Sequence, residues 1–415
     1  MVGRKDLRVL VYSHDTFGLG HLRRCRAIAH SLVGYDRNMS VLILSGSPII
    51  GNFDFRARVD FVRVPGVIKL RNGDYTSLAL HIDIEETLAI RASIVQHTAE
   101  AFNPDLFIVD KEPLGLRGEV ADTLKILKRT GTPLVLGLRD VLDEPMTLRT
   151  EWERKQVLPA LRDLYDEIWV YGMPEICDPL AGIGVSRAVR DKVRYTGYLR
   201  RELPTEAPTH SPLAKIDGPY ILVTPGGGGD GQEMVDWVLS AYEADPGIPH
   251  PALLVLGPFM PSESQAEFLA RCDALPQVEA ITFDAHMESL MDRAIGVIAM
   301  GGYNTFCEIL SFDKPALIVP RTVPRMEQYI RAAQAQKLGL VQVLVNDGLR
   351  NASDMAAAIR HLAEQQRPSE AMPAGMLDGL ETVNRLTDWL LQSRHGAVGR
   401  HATAAKLAGS ERQRA

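Results

Sequence analysis

The sequence predicts an α/β protein of two Rossmann-like domains with a cleft between them, and three observations lead to this prediction. The chain has 415 residues, which is more than one hydrophobic core usually organises. Short apolar runs alternate with amphipathic stretches along both of its halves. A proline-rich segment, Arg200–Pro219, interrupts this alternation near the middle and indicates a linker.

The first half contains short runs that are apolar on both faces, which is typical of buried parallel strands. They are Arg8–Ser13, Val41–Leu44, Leu106–Val109, Leu134–Leu136 and Ile168–Val170. Amphipathic stretches between them predict helices at Ile84–Phe102 and Leu116–Lys128. This order of elements predicts a parallel sheet with helices on both sides.

The second half repeats the pattern after the linker. Its predicted strands are Tyr220–Val223, Ala252–Leu256, Ile295–Ile298 and Ala316–Val319, and its predicted helices include Met234–Tyr242 and Met376–Leu391. We therefore expect a first domain at 1–199, a linker at 200–218, a second domain at 219–392 and a disordered tail at 393–415.

Composition and charge narrow the class of protein. The net charge of −6 gives no basic field for nucleic acid, and no apolar run reaches the roughly 18 residues that span a bilayer. The N-terminus enters a strand rather than a signal peptide. Four scattered cysteines argue against a zinc site and fit a reducing compartment, so we expect a cytoplasmic protein. Weak contact of the basic tail with acidic lipid is the alternative to a solvated tail.

The loop His14–His21 follows the first strand and opens a helix. Gly18 and Gly20 allow a tight turn, and His21 can exchange a proton near neutral pH. An ordinary strand-to-helix turn is the alternative. The loop lacks the third glycine of a dinucleotide fingerprint, and strand two ends in Ser45–Gly46 rather than in an acidic residue, which argues against NAD.

A second loop, Thr224–Gly231, contains four consecutive glycines between a strand and a helix. Their backbone amides and the helix dipole predict an anion cradle, with a flexible linker as the alternative. No Gly-Lys-Ser/Thr follows, so the loop is not a P-loop.

A third segment, Ala299–Glu308, ends a strand in two glycines and starts a helix at once. The next strand ends in Pro320, and Glu327–Gln328 opens the following helix. Ligands of open α/β sheets bind in the crevice beyond the strand ends, and this set of groups suits a nucleotide with a sugar attached. The alternative is that these carboxylates only favour helix starts.

Further polar groups follow strands of the first half. They are Asp110–Pro113, Arg139–Asp140 and Asp143–Glu144, which either face the cleft or form solvated loops. Arg23, Arg24 and Arg26 follow His21 and either contact an anion or form a solvated helix face.

These loops together resemble the two-domain nucleotide-sugar glycosyltransferases of the GT-B fold. The resemblance is closest to family 28-like N-acetylglucosaminyltransferases that complete the lipid-linked peptidoglycan precursor, and Gly226–Leu340 and His14–Ala29 carry it. It implies that His21 lies near the reaction centre. The chain departs from the family at Glu327, where Gln is usual, and at Arg331, where Asn is usual. The implied donor-binding residues are Gly18, Gly20, Gly226, Gly227, Gly228, Gly229, Phe283, Met287, Gly302, Thr305, Glu308, Glu327 and Gln328.

The resulting expectation is a transferase that moves a hexosyl group from a UDP-sugar to a glycan, lipid or small-molecule acceptor. We expect His21 or Asp110 to be the general base, and we expect neither a metal nor a cofactor. The Gly-Leu-Gly-His-Leu-Arg-Arg loop also resembles nucleotide-sugar hydrolases. An epimerase or a non-catalytic UDP-sugar-binding protein would be consistent with the same loops.

Overall fold

A computed structural model of the chain describes residues 6–15, 20–70, 74–203, 216, 218–227, 229–284, 286–346 and 348–393. Gly18 and Gly228 lie outside the described residues, as do most of the predicted linker and all but the first residue of the predicted tail. Among the described residues, no helix is both long and apolar enough to cross a membrane.

The strands and helices alternate through both halves of the chain. The strands are β1 (Leu7–Ser13), β2 (Met39–Ser45), β3 (Val59–Arg63), β4 (Val67–Lys69), β5 (Tyr75–Ser77), β6 (Leu106–Asp110), β7 (Leu134–Arg139), β8 (Glu167–Tyr171), β9 (Val193–Tyr195), β10 (Ile221–Thr224), β11 (Ala252–Val255), β12 (Val278–Ile281), β13 (Gly296–Ala299), β14 (Ala316–Ile318) and β15 (Gln342–Val343). The helices are α1 (Gly20–Tyr35), α2 (Ile84–Phe102), α3 (Ala121–Arg129), α4 (Pro145–Arg154), α5 (Val157–Asp163), α6 (Arg187–Arg190), α7 (Gln232–Ala244), α8 (Ser262–Asp273), α9 (Met287–Arg293), α10 (Tyr303–Ser311), α11 (Glu327–Lys337), α12 (Ala352–Leu362), α13 (Pro368–Ala371) and α14 (379–393).

Two parallel sheets form the centres of the two domains. The first has seven strands in the order β3-β2-β1-β6-β7-β8-β9, and the second has six in the order β12-β11-β10-β13-β14-β15. In each sheet the chain moves outward from one strand, β1 or β10, and then returns to pair on that strand's other side. The crevice at such a switch point is where open α/β sheets bind ligands. The topology therefore selects the loops after β1, β6, β10 and β13.

The predicted strands are all present, and the unpredicted strands of the two sheets lie at the sheet edges. β3 and β9 border the first sheet, and β12 and β15 border the second. An edge strand pairs with another strand on one side only. It is partly exposed to water and carries fewer apolar residues, as the burial pattern of β3 shows. The apolar-run criterion that finds the central strands therefore misses these.

The helix predictions are confirmed with one break. α2 has the predicted bounds. The predicted helix Leu116–Lys128 instead divides into a 3₁₀ turn at Leu116–Gly118 and helix α3, because Arg117 and Gly118 have positive φ angles of 47° and 90°. A left-handed residue cannot continue a right-handed helix.

The C-terminal helix returns to the first domain. Asn384 on α14 donates from its Nδ2 to Ser31 Oγ on α1 at 2.9 Å. Just before α14, Asp378 forms an antiparallel bridge with Leu199 at the end of the first domain. These two contacts hold the C-terminal end of the chain against the first domain.

A buried ion pair joins the domains at a third place. Arg331 on α11 donates from Nε and Nη2 to the two carboxylate oxygens of Asp140, at 2.7 and 2.6 Å. Asp140 follows β7 in the first domain and also accepts a hydrogen bond of 2.6 Å from the Tyr198 hydroxyl. The exposed fraction is 1% for Arg331 and 0% for Asp140, so neither charge has water as a partner.

We expect Asp140→Ala to lower the free energy of unfolding by about 3–5 kcal/mol, because it leaves the Arg331 charge buried without a counter-ion. The double variant D140A/R331M should recover most of this loss, since it leaves no lone charge. Chemical denaturation measures both. Asp245→Ala, which removes a surface ion pair with Arg360, is the control and should change little. A D140A protein as stable as the parent would contradict this role.

Candidate active site

A cavity of about 300 Å³ lies between the two domains, at the carboxyl ends of both sheets. This volume is in the range of small-molecule sites. Most of the residues predicted from the sequence line it: Gly20, His21, Gly226, Gly227, Phe283, Met287, Gly302, Thr305, Glu308, Glu327 and Gln328. Gly229 instead lies against the backbone of Phe259. Asp110 does not line the cavity, but its carboxylate contacts His21, which does.

His21 and Asp110 are brought together by the switch point of the first sheet. His21 lies in the first turn of α1, which follows β1, and Asp110 is the last residue of the neighbouring strand β6. His21 Nδ1 lies 2.5 Å from Asp110 Oδ2. An ionised carboxylate only accepts hydrogen bonds, so Nδ1 carries the hydrogen and Nε2 is left as a proton acceptor.

Arg24 holds Asp110 in its ionised form. Its Nε and Nη2 donate to the two oxygens of Asp110 at 2.8 and 2.6 Å. Burial raises the pKa of the Asp110 carboxyl, but Arg24 and His21 outweigh this effect and hold the pKa below its ordinary value. Burial lowers the pKa of His21, and Asp110 opposes this only in part. At neutral pH a neutral His21 imidazole therefore forms a hydrogen bond with an ionised Asp110 carboxylate.

The start of α1 has its own buried support. Asp15 accepts a hydrogen bond of 3.1 Å from the backbone N–H of Leu22, one of the amides that a helix start leaves unpaired. The other oxygen of Asp15 accepts from Ser45 Oγ at 2.5 Å. These bonds fix the first turn of α1, which presents His21, although no pattern in the sequence pointed to Asp15.

The glycine loop after β10 faces this helix start from the second domain. Gly226 has a φ of +94°, a conformation that favours glycine, and a side-chain carbon there would lie 4.0 Å from Thr305 Oγ1. α10 begins at Tyr303, and Asn304 in its first turn donates to the Gly20 carbonyl at 3.0 Å. The N-termini of α1 and α10 thus meet at the cavity, where their dipoles favour an anion.

Glu308, the predicted ribose ligand, is buried and paired with a cation of the first domain. Arg23 Nη2 lies 2.6 Å from Glu308 Oε1 and also donates to Glu288 Oε1 at 2.6 Å. Burial raises the pKa of Glu308, Glu288 adds to the rise, and Arg23 opposes it. In this structure Arg23 therefore occupies the carboxylate that the sequence predicts as the ribose ligand.

Glu327 and Gln328 lie at the opposite wall, and both contact Arg321. Glu327 accepts from Arg139 Nη2 at 2.7 Å and from Arg321 Nη2 at 3.1 Å, while Gln328 Oε1 accepts from the Arg321 backbone N–H at 2.9 Å. Burial raises the pKa of Glu327, but Arg139, Lys111 and other cations lower it to about 2.

Arg321 was not singled out from the sequence. A lone arginine after a strand-ending proline resembles an ordinary loop residue, and the only signal was its position beyond the carboxyl end of β14. Arg331, the second departure from the family, does not line the cavity and is the domain-joining residue described above.

Part of this chain matches a known protein family. Residues 226–383 match the family model described as the glycosyltransferase family 28 C-terminal domain. The match lies in the second half of the chain. It covers the glycine loop, Glu308, Glu327 and Gln328, and it confirms the resemblance that these motifs predicted.

Two curated relatives are each described as a UDP-N-acetylglucosamine--N-acetylmuramyl-(pentapeptide) pyrophosphoryl-undecaprenol N-acetylglucosamine transferase. The one from Thermotoga sp. (strain RQ2) is 26% identical over 154 residues, which are 37% of this chain and 40% of that relative. The one from Geobacillus kaustophilus (strain HTA426) is 33% identical over 101 residues, which are 24% of this chain and 28% of that relative. The similarity thus spans less than half the length of either.

The fold comparison covers nearly the whole chain. A solved structure of a ugt transferase from Siraitia grosvenorii in complex with UDP matches with a TM-score of 0.60 at 13% identity, covering 93% of this chain and 100% of that one. The predicted fold is therefore confirmed, and this chain has the GT-B fold.

We expect Asp110→Asn to lower the pKa of His21 further. The carboxylate stabilises the imidazolium, and its removal leaves the Arg24 charge beside the ring. NMR titration of the histidine rings measures the shift. His30, on the same helix and with its pKa lowered to about 4 mainly by burial, is an internal control that should not move. An unchanged or higher His21 pKa in D110N would contradict the pairing.

Proposed function

We propose that this protein is a metal-independent glycosyltransferase that moves a hexosyl group from a UDP-sugar to an acceptor hydroxyl. One observation carries the proposal. One cavity is lined by His21 from the first domain and by Gly226, Gly227 and Glu308 from the second. Asp110 supports it by its hydrogen bond with His21.

The second domain is proposed to bind the donor. Glu308 would accept hydrogen bonds from the ribose hydroxyls, and the segment Phe283–Met287 would contact the base. The amides after β10 and the start of α10 would stabilise the charge on the leaving diphosphate. One well-placed donor of this kind is worth roughly 3–4 kcal/mol of barrier. The family match over 226–383 and the UDP complex of the structural relative support this assignment.

The first domain is proposed to activate the acceptor. Neutral His21 would accept the proton of the acceptor hydroxyl at Nε2, and the Asp110 carboxylate would stabilise the imidazolium that forms. A general base of this kind contributes about a hundredfold or more to the rate. Arg24 keeps Asp110 ionised for this purpose.

The acceptor is proposed to be a glycan, a lipid-linked intermediate or a small molecule. The names of the two curated relatives favour a lipid-linked acceptor and N-acetylglucosamine as the sugar, but their similarity covers only 37% and 24% of this chain. A cytoplasmic location and a peripheral contact with the membrane belong to the same proposal.

A nucleotide-sugar hydrolase is the second candidate, favoured by the Gly20-His21-Leu22-Arg23-Arg24 sequence at the start of α1. Here His21 would activate water instead of an acceptor hydroxyl. The same donor site would serve both reactions, so the two differ only in the acceptor.

Mass analysis of UDP-sugars incubated with the protein, with and without a cell lipid extract, tests the proposal. A transferase gives a sugar-bearing product only with an acceptor. A hydrolase releases free sugar without the extract, an epimerase gives an isomeric sugar, and a binding protein leaves the UDP-sugar unchanged. Any of these last three results would overturn the proposed transfer.

We expect His21→Ala to lower the turnover number by about a hundredfold or more while leaving the affinity for UDP nearly intact, because only proton transfer is lost. Glu308→Ala should instead weaken UDP binding about tenfold, since the ribose loses a charged acceptor. Steady-state kinetics and calorimetry separate the two effects.

The control for both variants is His361→Ala on the exposed face of α12, which should match the parent. If H21A and E308A both turn over UDP-sugar like the parent, this site assignment is wrong.

A further inference from the structure

Two arginines from opposite domains meet at Glu327 inside the cavity. Arg139 is the last residue of β7 in the first domain, and Arg321 follows β14 in the second. Arg139 donates to one oxygen of Glu327 and Arg321 to the other, at 2.7 and 3.1 Å. Glu327 therefore holds two guanidinium groups side by side across the domain boundary.

Both arginines keep a buried donor that the described protein does not satisfy. The Nε atoms of Arg139 and Arg321 are buried, and neither has a hydrogen-bond partner within the described ranges. Buried donors are paired in the great majority of cases, and those that are not need an explanation. Both side chains line the cavity, so the missing acceptors can come from a molecule bound there.

Arg321 also reaches the glycine loop. Its Nη1 pairs with Asp230, near the end of that loop, while its Nη2 pairs with Glu327. Arg321 thus lies between the loop proposed for the diphosphate and the Glu327–Gln328 pair, for which the family resemblance implies contact with the sugar. A guanidinium presents several donors in one plane and matches the paired oxygens of a phosphate or carboxylate.

One partner of these arginines, Asp230, is a charged side chain that a ligand can replace. Arg321 is about one fifth exposed and Asp230 nearly half exposed, so their ion pair borders water and costs little to separate. Arg139 uses only one nitrogen on Glu327 among the bonds of the described residues. An incoming anion would take Arg321 from Asp230 and satisfy both Nε donors while Glu327 stays in place.

We propose that Arg139 and Arg321 form a binding site for an anionic group of the donor, at the junction between its diphosphate and its sugar. The inference rests on the proposed function, because it assigns a further contact within the same donor site. The anion is the β-phosphate that every UDP-sugar carries, or the carboxylate of a uronic sugar. Both present the same chemistry to a guanidinium, and nucleotides of different length distinguish them.

Calorimetric titration with uridine, UMP, UDP, UDP-glucose and UDP-glucuronic acid tests the site in the parent, Arg139→Gln and Arg321→Gln. Arg325→Gln is the matched control. Arg325 lies on the same segment as Arg321 and crosses to the first domain through Glu151, at 2.9 Å, but it does not line the cavity. It therefore controls for the loss of one positive charge and one contact between the domains.

If the anion is the β-phosphate, R139Q and R321Q should each bind UDP about tenfold more weakly than the parent and bind uridine and UMP as the parent does. If it is a sugar carboxylate, UDP binding should be unchanged and the preference for UDP-glucuronic acid over UDP-glucose should fall about tenfold. Unchanged uridine binding shows in either case that the variants are folded.

Two results would overturn the anion site alone. One is a parent that binds UDP while R139Q and R321Q bind every one of these nucleotides as tightly as the parent does. The other is an R325Q variant that loses as much UDP affinity as R321Q. A parent that binds none of these nucleotides would instead overturn the proposed function, and the anion site with it.

Discussion

The bidentate ion pair between Asp140 and Arg331 sets the position of one domain relative to the other. Each charge is removed from water and has the other as its partner, so separating the domains would leave both uncompensated. Each member of the pair also lies close to residues around the cavity. Asp140 directly follows Arg139, and Arg331 donates to the carbonyl of Gly301 at 2.9 Å, beside the start of α10. Fixing the domains therefore also fixes two walls of the site.

The cavity is electrostatically neutralised by its own side chains. Arg23 occupies Glu308, and Arg139 and Arg321 occupy Glu327. Two of these pairs, Arg23–Glu308 and Arg139–Glu327, join residues that are far apart in sequence and cross the domain boundary. The nucleotide proposed to bind here would exchange partners with these charged groups. The affinity for such a ligand would then depend on how well its hydroxyls and phosphates replace the internal partners.

The fold could be predicted from the sequence wherever strands are buried on both faces. β6, β8 and β10 are apolar runs because helices cover both sides of them. Edge strands such as β3 and β15 could not be found in this way, because partial exposure dilutes the pattern. The site was predictable where the backbone required glycine or a helix began, since such positions have local chemical signatures.

The sequence by itself determined the alternation of strands and helices, the two-domain organisation and the positions of His21, Gly226 and Glu308 in the loops and helix starts that follow predicted strands. Only the tertiary structure decided which of these groups share partners. That His21 pairs with Asp110, that Arg331 joins the domains, and that Arg321 reaches the glycine loop depend on contacts across many residues of chain. No local pattern encodes such contacts, because an arginine has the same propensities whether it faces water, a ligand or a carboxylate of the other domain.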